Sequence, residues 1–144
     1  MTQTRASLLE DVIAIARDAG ALIMEIYRSD FEVRGKHDAS PVTEADECAE
    51  RLILERLRAL RQQLPIVSEE AAAAGYVPAF GERFWLVDPL DGTKEFIHRN
   101  GEFTVNIALI DAGMPVLGVV FAPALDRMYA GAQGLGAWLE IEGK

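Results

Sequence analysis

Of the 144 residues only one is cysteine, Cys48, and only two are histidine, His37 and His98. A lone thiol cannot close an internal disulfide, so a reducing compartment, the cytoplasm, is expected. Two histidines so widely separated exclude a histidine-built metal site and read as surface residues. No apolar run approaches the ~20 residues that span a bilayer. The N-terminus lacks the basic-then-apolar layout of a signal peptide. Positive charge is scarce: 14 Lys and Arg against 23 Asp and Glu leave a net charge of −9. With no basic stripe to offset it, a nucleic-acid backbone is excluded as a partner. A phosphorylated small molecule is not, because bound cations would invert the local field. Internal repeats and any linker that would separate two domains are also missing.

What is present is globular. Half of the residues are hydrophobic (50%) and about a quarter charged (26%), enough for one domain over residues 1–144 with a real core. Leu9, Val12, Ile13, Ala16, Ala19, Ile23, Ile26 and Tyr27 recur at helical spacing, which predicts a helix over 7–28. Residues 31–33 read as a short strand and 35–41 as a polar loop. A second helix over 43–62 would bury Ala45, Ala49, Leu52, Ile53, Leu57 and Leu60. Pro65-Ile66-Val67 reads as a strand leading into Ser68-Glu69-Glu70, and the alanines of 71–74 as a surface segment. Beyond residue 100 the period changes to two: Phe103, Val105, Ile107 and Leu109 alternate with Thr104, Asn106, Ala108 and Ile110. Further strands follow at 116–121, 128–130 and 137–139, separated by turn residues. Two helices followed by an antiparallel meander make the class α+β, with the helices covering one face of a largely antiparallel sheet.

The chemistry concentrates in Trp85-Leu86-Val87-Asp88-Pro89-Leu90-Asp91-Gly92-Thr93. Phe84 to Val87 read as a buried strand that ends on Asp88, since Pro89 has no N–H to continue a ladder. Asp91 follows one turn later, so two carboxylates are delivered to one mouth. Gly92 allows close backbone approach, and Thr93 can begin a helix through Lys94-Glu95-Phe96. Helix-start N–H groups bind phosphate and neighbouring carboxylates hold hard divalent cations. The same letters are also ordinary turn chemistry. Two further acidic motifs weigh against turn chemistry alone. Asp46 lies near the start of the second helix, where Thr43-Glu44-Ala45-Asp46 equally fits a capping box. Glu69 and Glu70 follow a strand, where a solvated loop is the plainer reading. Together, Glu69, Asp88, Asp91 and the Leu90 carbonyl would supply a site for two or three magnesium ions. Lys36 either neutralises a phosphate or solvates its loop.

Three stretches in order resemble one family: Lys36-x-Asp38-x-Ser40-Pro41-Val42-Thr43-x-Ala45-Asp46, then Ser68-Glu69-Glu70, then Trp85 through Phe96. They are similar to the bacterial 3'(2'),5'-bisphosphate nucleotidases of the inositol monophosphatase superfamily, as is Asn100 through Ile110. The ending Lys94-Glu95-Phe96 marks that branch, because inositol monophosphatases more usually carry Thr-Asn-Phe there. The resemblance implies the first half of an αβαβα fold. It implies that Glu69, Asp88 and the Leu90 carbonyl hold a first magnesium, and Asp88 with Asp91 a second. Thr93 and Asp46 would orient the attacking water, with Asp46 assisting as general base. Glu69 would act with them, and the N–H groups of Gly92 and Thr93 would take the phosphate. The implied substrate is adenosine 3',5'-bisphosphate, cleaved to AMP and phosphate in the recycling of a by-product of sulfate activation.

The resemblance also has a gap. Family members continue into a second α/β half with a Trp-Asp-x-Ala motif, whereas neither Trp85 nor Trp138 is followed by Asp. The expectation is therefore a metal-binding half lacking its C-terminal partner, with exposed apolar surface that favours self-association. An inactive remnant, or one part of a split enzyme, is the alternative. A phosphatase working through an aspartyl-phosphate is a third reading. Its Asp-x-Asp-Gly-Thr motif differs by one residue from the Asp-x-x-Asp-Gly-Thr found here.

Overall fold

The computed structural model describes residues 3–29, 33–35, 41–60, 64–68 and 83–141. The first helix, α1 (Arg5–Tyr27), starts two residues earlier than the hydrophobic spacing predicts, because Thr4 caps it. The Thr4 hydroxyl accepts the Ser7 N–H at 3.1 Å, satisfying a helix-start donor. At the other end the Arg99 guanidinium donates to the carbonyl oxygens of Tyr27 and Ser29. A two-stranded antiparallel ribbon follows, β1 (Val33–Gly35) with β2 (Pro41–Thr43), so Gly35 and Pro41 belong to strands rather than to the expected loop. The intervening Lys36, His37 and Asp38 lie outside the described residues, as does the alanine run 71–74. The second helix, α2 (Glu44–Arg58), is shorter than its pattern suggests, and Leu60 packs beyond its end.

One six-stranded sheet carries the rest, in the order β3-β4-β5-β6-β7-β8. Its strands are β3 (Ile66–Ser68), β4 (Arg83–Asp91), β5 (Thr104–Asp111), β6 (Met114–Ala122), β7 (Arg127–Ala132) and β8 (Gly136–Ile141). From β4 to β8 each strand pairs with the next as an antiparallel meander, as the turn residues predicted. The exception is β3, which runs parallel to β4, so the sheet is mixed. A short helix, α3 (Thr93–Ile97), links β4 to β5.

The two long helices lie on one face of the sheet, α1 over β5, β6 and β7, and α2 over β4 and against α1. Their apolar stripes meet Trp85, Val87, Val105, Ile107, Leu109, Val119 and Met128 in a single core. Contact is close where Gly20 meets Phe121: a Cβ added to Gly20 would lie 2.3 Å from the ring. Gly20→Ala should therefore destabilise the fold by about 1–3 kcal/mol despite alanine's better helix propensity, read as a lower denaturant midpoint. A raised midpoint would show that α1 can shift freely on β6.

The opposite face of the sheet is uncovered among the described residues. Leu86, Ala108, Gly118, Gly131 and Ala137 stand in register across five strands. Beside them, Val120, Tyr129 and Leu139 are 37%, 46% and 42% exposed. Alternation buries one set of side chains under the helices and leaves the other set apolar and bare. Cys48 is a free, half-buried thiol, and His98 is exposed at the end of α3. No helix among the described residues is long and apolar enough to cross a membrane.

Candidate active site

The strand β4 does not stop at Asp88, as Pro89 led one to expect; it continues to Asp91. It does so by bulging. Asp88 stands opposite Asn106 and Asp91 opposite Thr104, so three steps on β4 match two on β5 and the register skips Pro89 and Leu90. Residues three apart on a regular strand point to opposite faces. The extra residue restores the phase, and Asp88 and Asp91 share the face that carries Asn106 and Thr104. Proline is tolerated because a bulge leaves it no ladder bond to make. The two carboxylates thus share one face through the bulge rather than through a strand end. Asp91 is exposed and Asp88 half-buried, while the Leu90 side chain turns into the core at 3% exposure.

Gly92 then reverses the chain with φ 94° and ψ 44°. A Cβ at this position would lie 3.0 Å from the Glu102 carbonyl oxygen and 3.1 Å from a Glu95 carboxylate oxygen, so only glycine fits. As N-cap it offers no side chain to the first N–H groups of α3. Thr93 opens that helix, and its Oγ1 donates to Asp46 Oδ1 at 2.9 Å. Asp46 projects from the first turn of α2 and is 1% exposed. A carboxylate so buried needs partners, and the Thr93 hydroxyl is one of them. The sequence left helix capping and site chemistry both open for Asp46; the structure ties it to the loop after β4.

Asp46, Asp88, Asp91 and Thr93 are thereby gathered at one corner of the sheet, around the carboxyl end of β4. Glu69 and Glu70 lie outside the described residues. The last described residue before them is Ser68, which pairs with Val87, the neighbour of Asp88. Sequence reasoning gave no individual role to Thr104 or Asn106 beyond their place in an alternating strand. Asn106 Nδ2 donates to Thr104 Oγ1 at 2.9 Å. These two side chains stand directly opposite the paired aspartates. From Asp88 and Asn106 an open trough of about 550 Å³ runs over Leu86, Ala108, Gly118 and Val120. Its charged end is the aspartate corner; its floor is apolar.

Every donor at this corner is oxygen, the ligand type of hard divalent cations. Among the described residues no group of three or more His, Cys, Asp or Glu side chains closes on a single point. That is compatible with magnesium, which is held by one or two carboxylates and keeps several waters.

A helix pair on a mixed sheet with this aspartate corner belongs to a recognisable class: the chain is a member of the inositol monophosphatase family, matched over residues 5–142. More particularly, it is 56% identical over 135 residues to the 3'(2'),5'-bisphosphate nucleotidase CysQ of Salmonella typhimurium, covering 92% of this chain and 54% of that protein. Among solved structures it superposes on CysQ from Bacteroides thetaiotaomicron with a TM-score of 0.74 at 38% identity, covering 94% of this chain and 49% of that one. The IMPase of Thermotoga maritima gives a TM-score of 0.79 at 33% identity, with 94% and 51% covered. The chain spans about half the length of the curated relatives it matches.

Proposed function

We propose that this chain forms the metal-binding half of a magnesium-dependent phosphatase that hydrolyses adenosine 3',5'-bisphosphate to AMP and phosphate. The observation that carries the reading is the bulge at Pro89 and Leu90, which sets Asp88 and Asp91 on one face beside the Asp46–Thr93 pair. Asp88, Asp91, the Leu90 carbonyl and Glu69 would hold two or three magnesium ions. Bound there, the ions would supply charge neutralisation of the phosphoryl oxygens and a lowered pKa for water. The N–H groups of Gly92 and Thr93, with no side-chain cap, would take the phosphate. Because the Thr93 hydroxyl donates its hydrogen bond to Asp46, its oxygen lone pairs are left to accept a water O–H. That water is thus oriented toward phosphorus, with Asp46 behind Thr93 to assist its deprotonation. As the water oxygen bonds to phosphorus, the bond to the nucleoside 3'-oxygen would break, the attacking water's proton passing toward Asp46 and the leaving oxygen taking a proton from solvent water to depart as the alcohol.

The substrate assignment draws support from the relatives named as bisphosphate nucleotidases and from the Lys94-Glu95-Phe96 ending. It puts the protein in the cytoplasm, consuming a by-product of sulfate activation. The relatives are about twice as long as the matched region, and the bare apolar sheet face suits burial against a second half or, in its absence, self-association.

Phosphate release from adenosine 3',5'-bisphosphate, with inositol monophosphate for comparison, tests the proposal. Release is expected with magnesium and not with chelator. Thr93→Val is expected to lower kcat about 100-fold while leaving cation affinity unchanged. Equal kcat in Thr93→Val would remove Thr93 from the chemistry. A folded, cation-binding chain that releases no phosphate would assign catalysis to the two halves acting together.

A further inference from the structure

We propose that Glu50, which has no part in the chemistry above, is a positioning residue for this site and acts through Ser68. Among the described residues the buried polar side chains are Asp46 and Ser68, at 1% and 3% exposure. Both are secured by hydroxyl-to-carboxylate hydrogen bonds involving α2: Thr93 Oγ1 to Asp46 at 2.9 Å, and Ser68 Oγ to Glu50 at 2.7 Å. Asp46 and Glu50 are four residues apart, so their side chains leave the same face of α2 one turn apart.

Their partners sit on two neighbouring parts of the sheet end. Ser68 closes β3 opposite Val87, the residue before Asp88. Thr93 opens α3 two residues after Asp91. One face of α2 thus grips the parallel strand pair with one carboxylate and the loop after β4 with the other. The β3 strand is only three residues long and lies at the sheet edge. Few ladder bonds hold its end, and the Glu50 contact adds a charge-assisted one. Glu50 therefore fixes the spacing between α2, which carries Asp46, and the strand that carries Asp88.

The consequence for metal binding rests on the reading of the site given above; the consequence for local order does not. Manganese serves as the probe, with the free ion followed by electron paramagnetic resonance. Ser68→Ala and Glu50→Ala should each weaken binding about tenfold, the range of outer-shell partners. Their double variant should be no weaker than either single one, because both remove the same bond. Glu50→Gln should stay within about threefold of the parent, since its amide oxygen still accepts.

Without metal, the Phe96 amide, bonded to the Gly92 carbonyl at 2.9 Å, should exchange about tenfold faster in both alanine variants. The Gln133 amide, bonded to the Val116 carbonyl at 2.9 Å far from the site, should be unchanged. Additive losses in the double variant, a Gln variant as weak as the Ala variant, or unchanged Phe96 exchange would each overturn the positioning role. A parent chain that binds no manganese would overturn the metal reading alone, and the Phe96 amide would then decide for or against the role of Glu50.

Discussion

Asp88→Asn is expected to weaken divalent-cation binding by at least about 100-fold and to reduce magnesium-dependent phosphate release to background. Outer-shell partners of a metal cost 10–100-fold when removed, and a direct ligand costs no less. The change keeps the shape of the side chain and removes one negative charge, so a hard cation loses an anionic oxygen while the strand keeps its volume. Asp88 is half-buried and points to the outer face of the sheet rather than into the helix-covered core. Circular dichroism and the denaturant midpoint should therefore change little. Glu69→Gln is expected to act in the same direction. Equal magnesium affinity, measured by calorimetry, in the parent and both variants would remove the metal site. The aspartyl-phosphate reading makes a different prediction for the same variant, because it needs a covalent phospho-enzyme to be trapped in the parent. In a regular strand Asp-x-Asp puts both carboxylates on one face; here the longer spacing reaches that result only through the bulge.

Phe103→Ala should cost about 3–5 kcal/mol of stability, a large share of the roughly 5–15 kcal/mol that holds a domain of this size together. Phe103 is fully buried and packs against both Tyr27 and Phe96, with ring centroids 4.9 Å and 5.2 Å away. Tyr27 and Phe96 complete the triangle at 5.3 Å. Removing this ring leaves a cavity that the segments around it would have to collapse to fill. The loss also reaches the site. At five residues α3 is too short to be helical by itself, and Phe96 is its buried anchor. Releasing that anchor should loosen Thr93 from Asp46. Urea denaturation measures the first effect and amide exchange at Phe96 the second. A midpoint shift worth less than about 1 kcal/mol would show that the aromatic cluster carries little of the stability.

Helices, meander and core were legible because their causes are local. A 3.6-residue apolar period can be buried only along a helix stripe, and the alternation from Phe103 to Ile110 only on a sheet face. The ends of elements were less legible. Thr4 extended α1 through a cap, and Gly35 and Pro41 joined a ribbon that polar letters had marked as loop. The parallel sense of β3 was not visible at all, since three residues carry no signal of strand direction. At the site, Asp88, Asp91 and Thr93 stood out by their spacing and by resemblance to one family. Glu50 did not, because a glutamate in mid-helix reads as a solvated side chain until its partner is known.

The sequence by itself determined that the chain folds as α+β, that its candidate ligand atoms are carboxylate and carbonyl oxygens rather than thiols or imidazoles, and that its ancestry lies in a phosphatase family. Those properties depend on composition, periodicity and motif, which act over a few residues. Only the tertiary structure decided that a bulge brings Asp88 and Asp91 into phase, that Asp46 turns to Thr93, and that Ser68 is held by Glu50. Each of these is a contact between segments far apart in the chain, set by strand register and helix docking. No local pattern encodes that geometry.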